Sequence, residues 1–546
     1  MMVVIQAKGR VSMAKKSNSY HLDIQTHRKN PYGLLRNSYR EDGKVKKETI
    51  CRFTGLSLTQ LKAMQAAIQG RTVMKEDFKI TSVREYGASY TIVEMIKSLG
   101  LDRAIYSRTS DDWVRCCLAM ITGRIVYAGS KLKLSHCSSY SALWEVCGIV
   151  GDIDVNVHCY AAMDRLLERQ DAIQATLAKK HLQGGILVLY DITSSYMEGE
   201  YEDSSLVRFG YNRDGKRGHK QIVISLLCSK EGCPIAVEVF PGNTKDETTF
   251  LDKVNELREK YRIDKVIIAG DRGMVKKVGY EKLDHDTVKV ISALTHSAIK
   301  SLCEKGVMQI SMFDEKNIVE IIDGDMRYCL CKNPDMALNE AETREALLKK
   351  TMEELDKIIA GTRKSKYSKE MRVGKVIGRY KMGKFITFDG EGDEVRYALD
   401  KNKVEMESLL DGCYVIYTDV PTEDMAAVEA VENYKSLARV EQAFRNMKTV
   451  QLELRPAYHK TDDRIKCHVF ICMLAYYVMW HMKQKLQPLF EVDGKGKKRK
   501  YTFDSIIERL KLITKNTVDF CNAQSEIVAV PTEDQQCILN LLGISL

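Results

Sequence analysis

Apolar residues change their spacing several times along this chain, and each change marks a boundary. In residues 1–56, Asp42-Gly43 separates two alternating segments, NSYRE and KVKKETICRF, the pattern of a tight hairpin in a small basic β-unit. From 57 to 183 apolar positions recur three and four residues apart, as in LTQLKAMQAAIQ, SYTIVEMIKSLG and DDWVRCCLAMITGRIV, which predicts a helical domain. At Gly184 the pattern becomes a run of large and β-branched residues, GGILVLYDITSSYM, a buried strand with Asp191 near its end. HKQIVISLLCS and PIAVEVFPG follow around a Lys230-Glu231-Gly232 turn and predict an antiparallel meander with the first strand. Asn243, Thr244 and Asp246 supply cap chemistry for a helix over TTFLDKVNELREKY, and IDKVIIAGD is a further buried strand ending on Asp271. Residues 184–274 therefore read β-β-β-α-β.

Residues 275–425 break this pattern with short strands (VKVISAL, IVEIIDG, KFITFD, EVRYAL, CYVIYTD) and one highly charged helix, and read as an inserted, mainly β domain. Residues 426–483 return to helical spacing, with one helix expected from Ala426 to Met447 and an apolar one from Asp463 to Lys483. A basic loop, GKGKKRK, and a helical tail complete 484–546. The fold class is α/β and multidomain.

Composition narrows the class without deciding it. At 546 residues the chain is long enough for three or four domains of about 150 residues. With 44% hydrophobic and 29% charged residues and only 8 prolines, it is neither collagen-like nor a disordered polymer. The net charge of +10 suits nucleic acid but also a plain basic enzyme. The 16 cysteines follow no disulfide framework, and Cys116-Cys117 and Cys329-Leu330-Cys331 lack the gap of a structural zinc site, so free thiols are expected. No apolar leader opens the chain, and the run from Val469 to Trp480 falls short of the about 20 residues that span a bilayer, so a soluble cytoplasmic protein without a membrane partner is expected.

Candidate chemistry lies at the strand ends. Two aspartates fixed by buried strands, Asp191 and Asp271, can hold hard cations if a third acid joins them. On a helix over 426–447, seven residues advance about 700°, close to two turns, so Tyr434, Glu441, Arg445 and Lys448 share one stripe. Leu437, Val440, Phe444 and Met447 form the adjacent apolar stripe. Taken singly, each aspartate also reads as a cap or turn residue, and Glu441 with Arg445 and Lys448 as a solvated ladder. The segment LVRFGYNRDGKRGHK, 206–220, sets Arg208, Arg213, Lys216, Arg217 and Lys220 against Asp214 alone, a local +4 interleaved with Phe209 and Tyr211. Lys495 to Lys500 and a hairpin surface with Arg40, Lys44, Lys46 and Lys47 are further basic candidates. Asp284-His285-Asp286 reads as a turn rather than a metal cluster.

Taken together, DITSS with Asp191, IIAGDRGM with Asp271, and Tyr434, Glu441 and Lys448 in the spacing Y-x6-E-x6-K resemble the DDE-type insertion-sequence transposases. The resemblance covers about 184–483, and the N-terminal third matches loosely as a terminal-repeat-binding and helical region. It departs at Leu437, where the family signature carries arginine; Arg445 or Arg439 could stand in. It implies a ribonuclease H-like core interrupted by a β-rich insertion, with Asp191, Asp271 and Glu441 as catalytic ligands of two Mg²⁺ ions that Mn²⁺ could replace. It further implies DNA contacts by Tyr434, Lys448, Arg445 and Arg272, double-stranded terminal repeats and target DNA as partners, a homodimer on DNA, and a prokaryotic, nucleoid-associated location. The implied activity is metal-dependent cleavage at the element ends, then joining of the 3′-OH to target DNA. A non-transposing nuclease and an inactive DNA-binding regulator are the alternatives. The three tryptophans, Trp113, Trp144 and Trp480, all lie outside 275–425, and hairpin chemistry is not expected.

Overall fold

The computed structural model describes residues 5–7, 19–27, 30–41, 44–69, 78–182, 186–211, 218–244, 266–271, 284–361, 367–392, 394–455, 457, 459–490, 501–520 and 523–546. The chain is a mixed α/β protein built around one large sheet.

The N-terminal unit is a four-stranded sheet of β1 (Ile5–Ala7), β2 (Ser19–Gln25), β3 (Tyr32–Glu41) and β4 (Lys44–Phe53), in the order β1-β4-β3-β2. β3 and β4 pair antiparallel as far as Glu41 opposite Lys44, as the hairpin reading expected, while Asp42 and Gly43 lie outside the described residues. Helix Leu58–Ile68 opens with a capping box between Ser57 and Gln60 and seats Leu61 against Leu22 and Gly33.

The helical region holds one strand that the periodicity did not suggest, β5 (Phe78–Glu85). Its partner comes from the far end of the chain. What reads as a helical tail contains a hairpin, β16 (Thr514–Phe520) and β17 (Ala523–Val528), and β16 pairs with β5. Lys515 and Arg84 both pair with Glu145 and Glu526 across this junction, so charges join residues that lie more than 400 positions apart.

The main sheet has eight strands. β6 (Ile186–Tyr196), β7 (Gln221–Ser229) and β8 (Pro234–Pro241) form the expected antiparallel meander. β9 (Val266–Ala269) lies parallel to β6 on its other side, and β10 (Val288–Ala293) lies parallel to β9. The order then continues through antiparallel strands taken from the interrupting segment: β11 (Val319–Asp323), β12 (Met326–Lys332) and β15 (Cys413–Thr418), giving β11-β12-β15-β10-β9-β6-β7-β8.

The expectation of a separate, mainly β insertion over 275–425 is therefore corrected. VKVISAL and CYVIYTD are buried strands of the main sheet, and short apolar runs cannot reveal which sheet they will join. The part with its own core is smaller and largely helical. Helices Pro334–Ala360 and Lys369–Tyr380 pack with the hairpin β13 (Ile386–Glu391) and β14 (Glu394–Leu399) around Leu355, Val373 and Phe385.

Helix Asp462–Lys485 is apolar on every face because it is the hub: helices Gly87–Ser98, Asp112–Val126 and Ala161–Glu168 and strand β8 all pack on it. It is long and apolar enough to cross a membrane by length and composition, yet 83% of its apolar window is buried within the protein. Every cysteine among the described residues is a free thiol.

Candidate active site

The parallel pairing of β6 and β9 ends at Leu189 beside Ala269. Two residues further on from each stand Asp191 and Asp271. Asp191, still within β6, shares the face of Leu189, and Asp271 lies two residues beyond the end of β9. The backbone is fixed up to this point: Gly270 N–H donates to Ile291 O at 3.0 Å, and Ser292 Oγ donates to the Asp271 carbonyl at 3.3 Å. Asp191 does not end its strand as the sequence suggested. β7 carries β6 on to Tyr196, so Asp191 is half-buried in mid-strand, its Oδ1 accepting from Ile192 N–H at 2.7 Å. Asp271 is exposed.

The single helix expected over 426–447 is in fact two, Ala427–Lys435 and Ala438–Arg445, with a joint at Ser436 and Leu437. A turn of π-helix, Asn446–Val450, follows. The joint falls between Tyr434 and Glu441 and the π turn between Arg445 and Lys448, so the ideal projection holds across neither, while Glu441 and Arg445 share one regular helix. Tyr434 is half-buried against the main core. Glu441 and Arg445 are exposed, while Lys448 is buried and donates to Thr193 Oγ1 and to Ser194 O, both at 2.5 Å.

Those contacts place the glutamate helix. It buries Val440, Ala443 and Phe444 and packs along β6 and β7. Arg439 at its start donates to Lys230 O, in the turn after Ser229, which pairs with Val188. Lys448 beyond its end reaches Thr193, on the same face of β6 as Asp191. Glu441 lies between these two anchors. Arg439 thus points to the far end of β6. Leu437 is buried, which leaves Arg445 as the exposed arginine next to Glu441.

The basic segment leaves the C-terminal end of β6 and returns at β7. Arg208, Phe209 and Tyr211 are exposed and Lys220 is half-buried; Arg213, Lys216, Arg217 and Arg272 lie outside the described residues. Its base is held by groups that sequence reading missed. Buried Gln221 donates to Gly242 O at 2.7 Å and to Tyr211 O at 3.0 Å. A Cβ on Gly210 would collide with the Gly242 carbonyl, so only glycine fits there. Asp462, at the start of the hub helix, accepts from the hydroxyls of Ser204 and Ser205, both at 2.5 Å, and from Ser205 N–H at 2.9 Å. Burial raises the Asp462 pKa, but those hydrogen bonds outweigh it and hold the group below the ordinary aspartate range. A folded pKa depressed in this way stabilises the loop above the unfolded aspartate value. That stabilisation is lost as pH falls through the lowered one. An aspartate in a helix's first turn reads as a dipole partner, and nothing local reveals serines 258 and 257 positions away.

Asp284-His285-Asp286 is a turn, as expected, with Thr287 Oγ1 donating to Asp284 Oδ2 and His285 directed to buried Asp419. Among the described residues, His181, Cys233 and His481 bring one ligand atom each to within 4.8 Å of one another. They lie beside the Val188 end of β6, away from Asp271, and form a soft nitrogen and sulfur set rather than one for a hard cation.

Comparison with known proteins matches these elements to two family models. A transposase DDE domain model matches residues 184–478, and an IS1634 family transposase N-terminal domain model matches residues 22–81. No curated protein matches the chain in sequence. Among solved structures, a cryo-EM structure of the piggyBac transposase synaptic complex with hairpin DNA covers 78% of this chain and 78% of its own at 9% identity. Its TM-score of 0.35 is too low to carry an argument.

Proposed function

The chain belongs to the DDE-domain transposases of insertion sequences, and from that premise we propose that it cleaves the ends of its element and joins them to target DNA, with Asp191, Asp271 and Glu441 as the catalytic acids. The observation that supports this reading is that the parallel pairing of β6 and β9 runs to Leu189 and Ala269, two residues short of Asp191 and Asp271, while the helix bearing Glu441 packs on β6. The strand order β8-β7-β6-β9-β10, three antiparallel strands followed by two parallel ones, is read as the ribonuclease H-like core.

Three carboxylates are a hard oxygen donor set that fits divalent cations, and Mg²⁺ is the proposed resident, with Mn²⁺ able to replace it. When bound, two such ions supply the positive charge that stabilises the attacking and leaving oxygens of an in-line phosphoryl displacement. The protein's own part is placement. β6 carries Asp191, β9 leads into the turn with Asp271, and Lys448, bound to Thr193 and Ser194, ties the end of the glutamate helix to β6. Arg445, beside Glu441, is proposed to contact the end phosphate, taking the place of the arginine that Leu437 lacks. The loop bearing Arg208 and Lys220 is proposed to grip the backbone of a terminal repeat, with Phe209 and Tyr211 against its bases. A homodimer would pair the two ends.

Incubation of the full chain with inverted-repeat DNA and Mg²⁺ is expected to yield joined products. Free 3′ ends without joining would mark a nuclease instead. If Arg208, Lys220 and Arg445 each neutralise one phosphate, at about 0.9 per contact the log-log salt slope of affinity is about −2.7 or steeper. Fluorescence anisotropy over a salt series measures it, and a flat response contradicts the DNA reading. Asp462→Ala, by releasing the loop's base, is expected to weaken DNA binding roughly tenfold, equivalent to about 1.4 kcal/mol. Cleavage at saturating DNA should be little changed.

A further inference from the structure

Between the end of helix Asp112–Val126, the short helix Lys131–Ser135 and residues Glu453, Ala457 and His459 lies a cavity of about 490 Å³. Arg124 and Lys131 line it with 5% and 3% of their surfaces exposed. Arg124 spends its two Nη groups on backbone, donating to Leu452 O at 3.2 Å, to Glu453 O at 3.4 Å and to Gly129 O at 2.7 Å. Its Nε–H, however, has no acceptor. His468 is equally buried: its Nε2 sits 3.0 Å from Leu454 O, and its Nδ1 is without a partner. The Lys131 ammonium has no hydrogen bond or ion pair among the described residues. Glu453, at the rim, is exposed and pairs with neither cation.

Two buried cations without a carboxylate are costly, because desolvation is repaid only by an opposite charge. Burial and the neighbouring Arg124 push Lys131 down to about 8. Burial, then Lys131, Arg124 and Arg464, push His459 down to about 3. The thiols of Cys472, Cys159 and Cys467 act upward on Lys131, but no carboxylate figures among the groups acting on Lys131, His459 or His468. The backbone is strained at the same place. Ala128 and Glu453, each at φ 40, are two of the three non-glycine residues in the left-handed region among the described residues, and both line the cavity.

We propose that this cavity binds a phosphoryl group, as inorganic phosphate or a terminal phosphate monoester. Arg124 and Lys131 together offer the charge that balances a dianion, and the Lys131 ammonium, without a hydrogen bond or ion pair among the described residues, is free to donate to it. The volume falls in the range of small-ligand sites, about 300–1,000 Å³, and does not admit duplex DNA, so the sources are free phosphate or a single strand end. Glu453 lies three residues beyond the turn that carries Lys448, so occupancy would stiffen the support of the glutamate helix. The site stands whether or not Asp191, Asp271 and Glu441 are the catalytic acids.

Thermal melting of the full chain in inorganic phosphate, against sodium chloride at equal ionic strength, tests it. The wild type is expected to melt about 3 °C or more higher in phosphate. Lys131→Met should abolish that rise while melting no lower than wild type in chloride, since it removes an uncompensated buried charge. Lys131→Arg should keep the rise. Should Lys131→Met not fold, broadening of the phosphorus NMR line of inorganic phosphate by wild-type protein reads binding directly. Competition by a 5′-phosphorylated but not a 5′-hydroxyl oligonucleotide identifies a strand end as the source, and no competition by either identifies free phosphate. A melting shift no larger than in chloride, or one undiminished in Lys131→Met, overturns the site.

Discussion

Replacing Asp191 by Asn is expected to slow DNA-end cleavage by about a thousandfold or more while leaving the fold intact, since metal-assisted charge stabilisation contributes several kcal/mol to such a displacement. Asparagine keeps the shape of the side chain and can still accept from Ile192 N–H, so β6 and its pairing with β7 are preserved. What is lost is one negative charge of the proposed cation site. Asp271→Asn and Glu441→Gln should show the same loss, because the acids act as one unit and single removals are not additive. Single-turnover cleavage of a fluorescent element-end duplex measures the effect, with melting temperature as the control. Cleavage by Asp191→Asn within about tenfold of wild type would remove Asp191 from the site.

The second large effect concerns stability. Phe470 is fully buried in helix Asp462–Lys485, which the helical region and β8 both pack against. Phe470→Ala is expected to destabilise the protein by about 3–5 kcal/mol, through lost burial and the cavity left behind. The melting temperature should fall by roughly 10 °C, and because one helix serves both regions they should melt together. Calorimetry of the full chain measures this. Separate transitions for the two regions, or an unchanged melting temperature, would contradict the hub role of this helix.

Much of this was legible in the sequence because the signals are local. The meander of β6, β7 and β8, the strand ending before Asp271 and the hub helix follow from apolar periodicity and turn residues. What stayed hidden depends on partners far along the chain. β5 is stabilised by β16, more than 400 residues later, and β10 reads like any short apolar run until its place beside β9 is known. The helical projection aligned Lys448 with Glu441, but the π turn that begins at Asn446 breaks the ideal rotation between them, and Lys448 donates into the sheet. Asp462 carries the signature of a helix start, which conceals its grip on Ser204 and Ser205. His181, Cys233 and His481 fit no ligand spacing, and the cavity around Lys131 draws on residues from 124 to 468. Burial without a partner is invisible until the fold is known.

The most direct test of the central claim, that Asp191, Asp271 and Glu441 form one cation site, is Mn²⁺ binding to the full chain on element-end DNA, followed by electron paramagnetic resonance. The expected result is two ions per chain in the wild type, with one or both lost in each of Asp191→Asn, Asp271→Asn and Glu441→Gln while DNA remains bound. Undiminished Mn²⁺ binding in any of the three would contradict it.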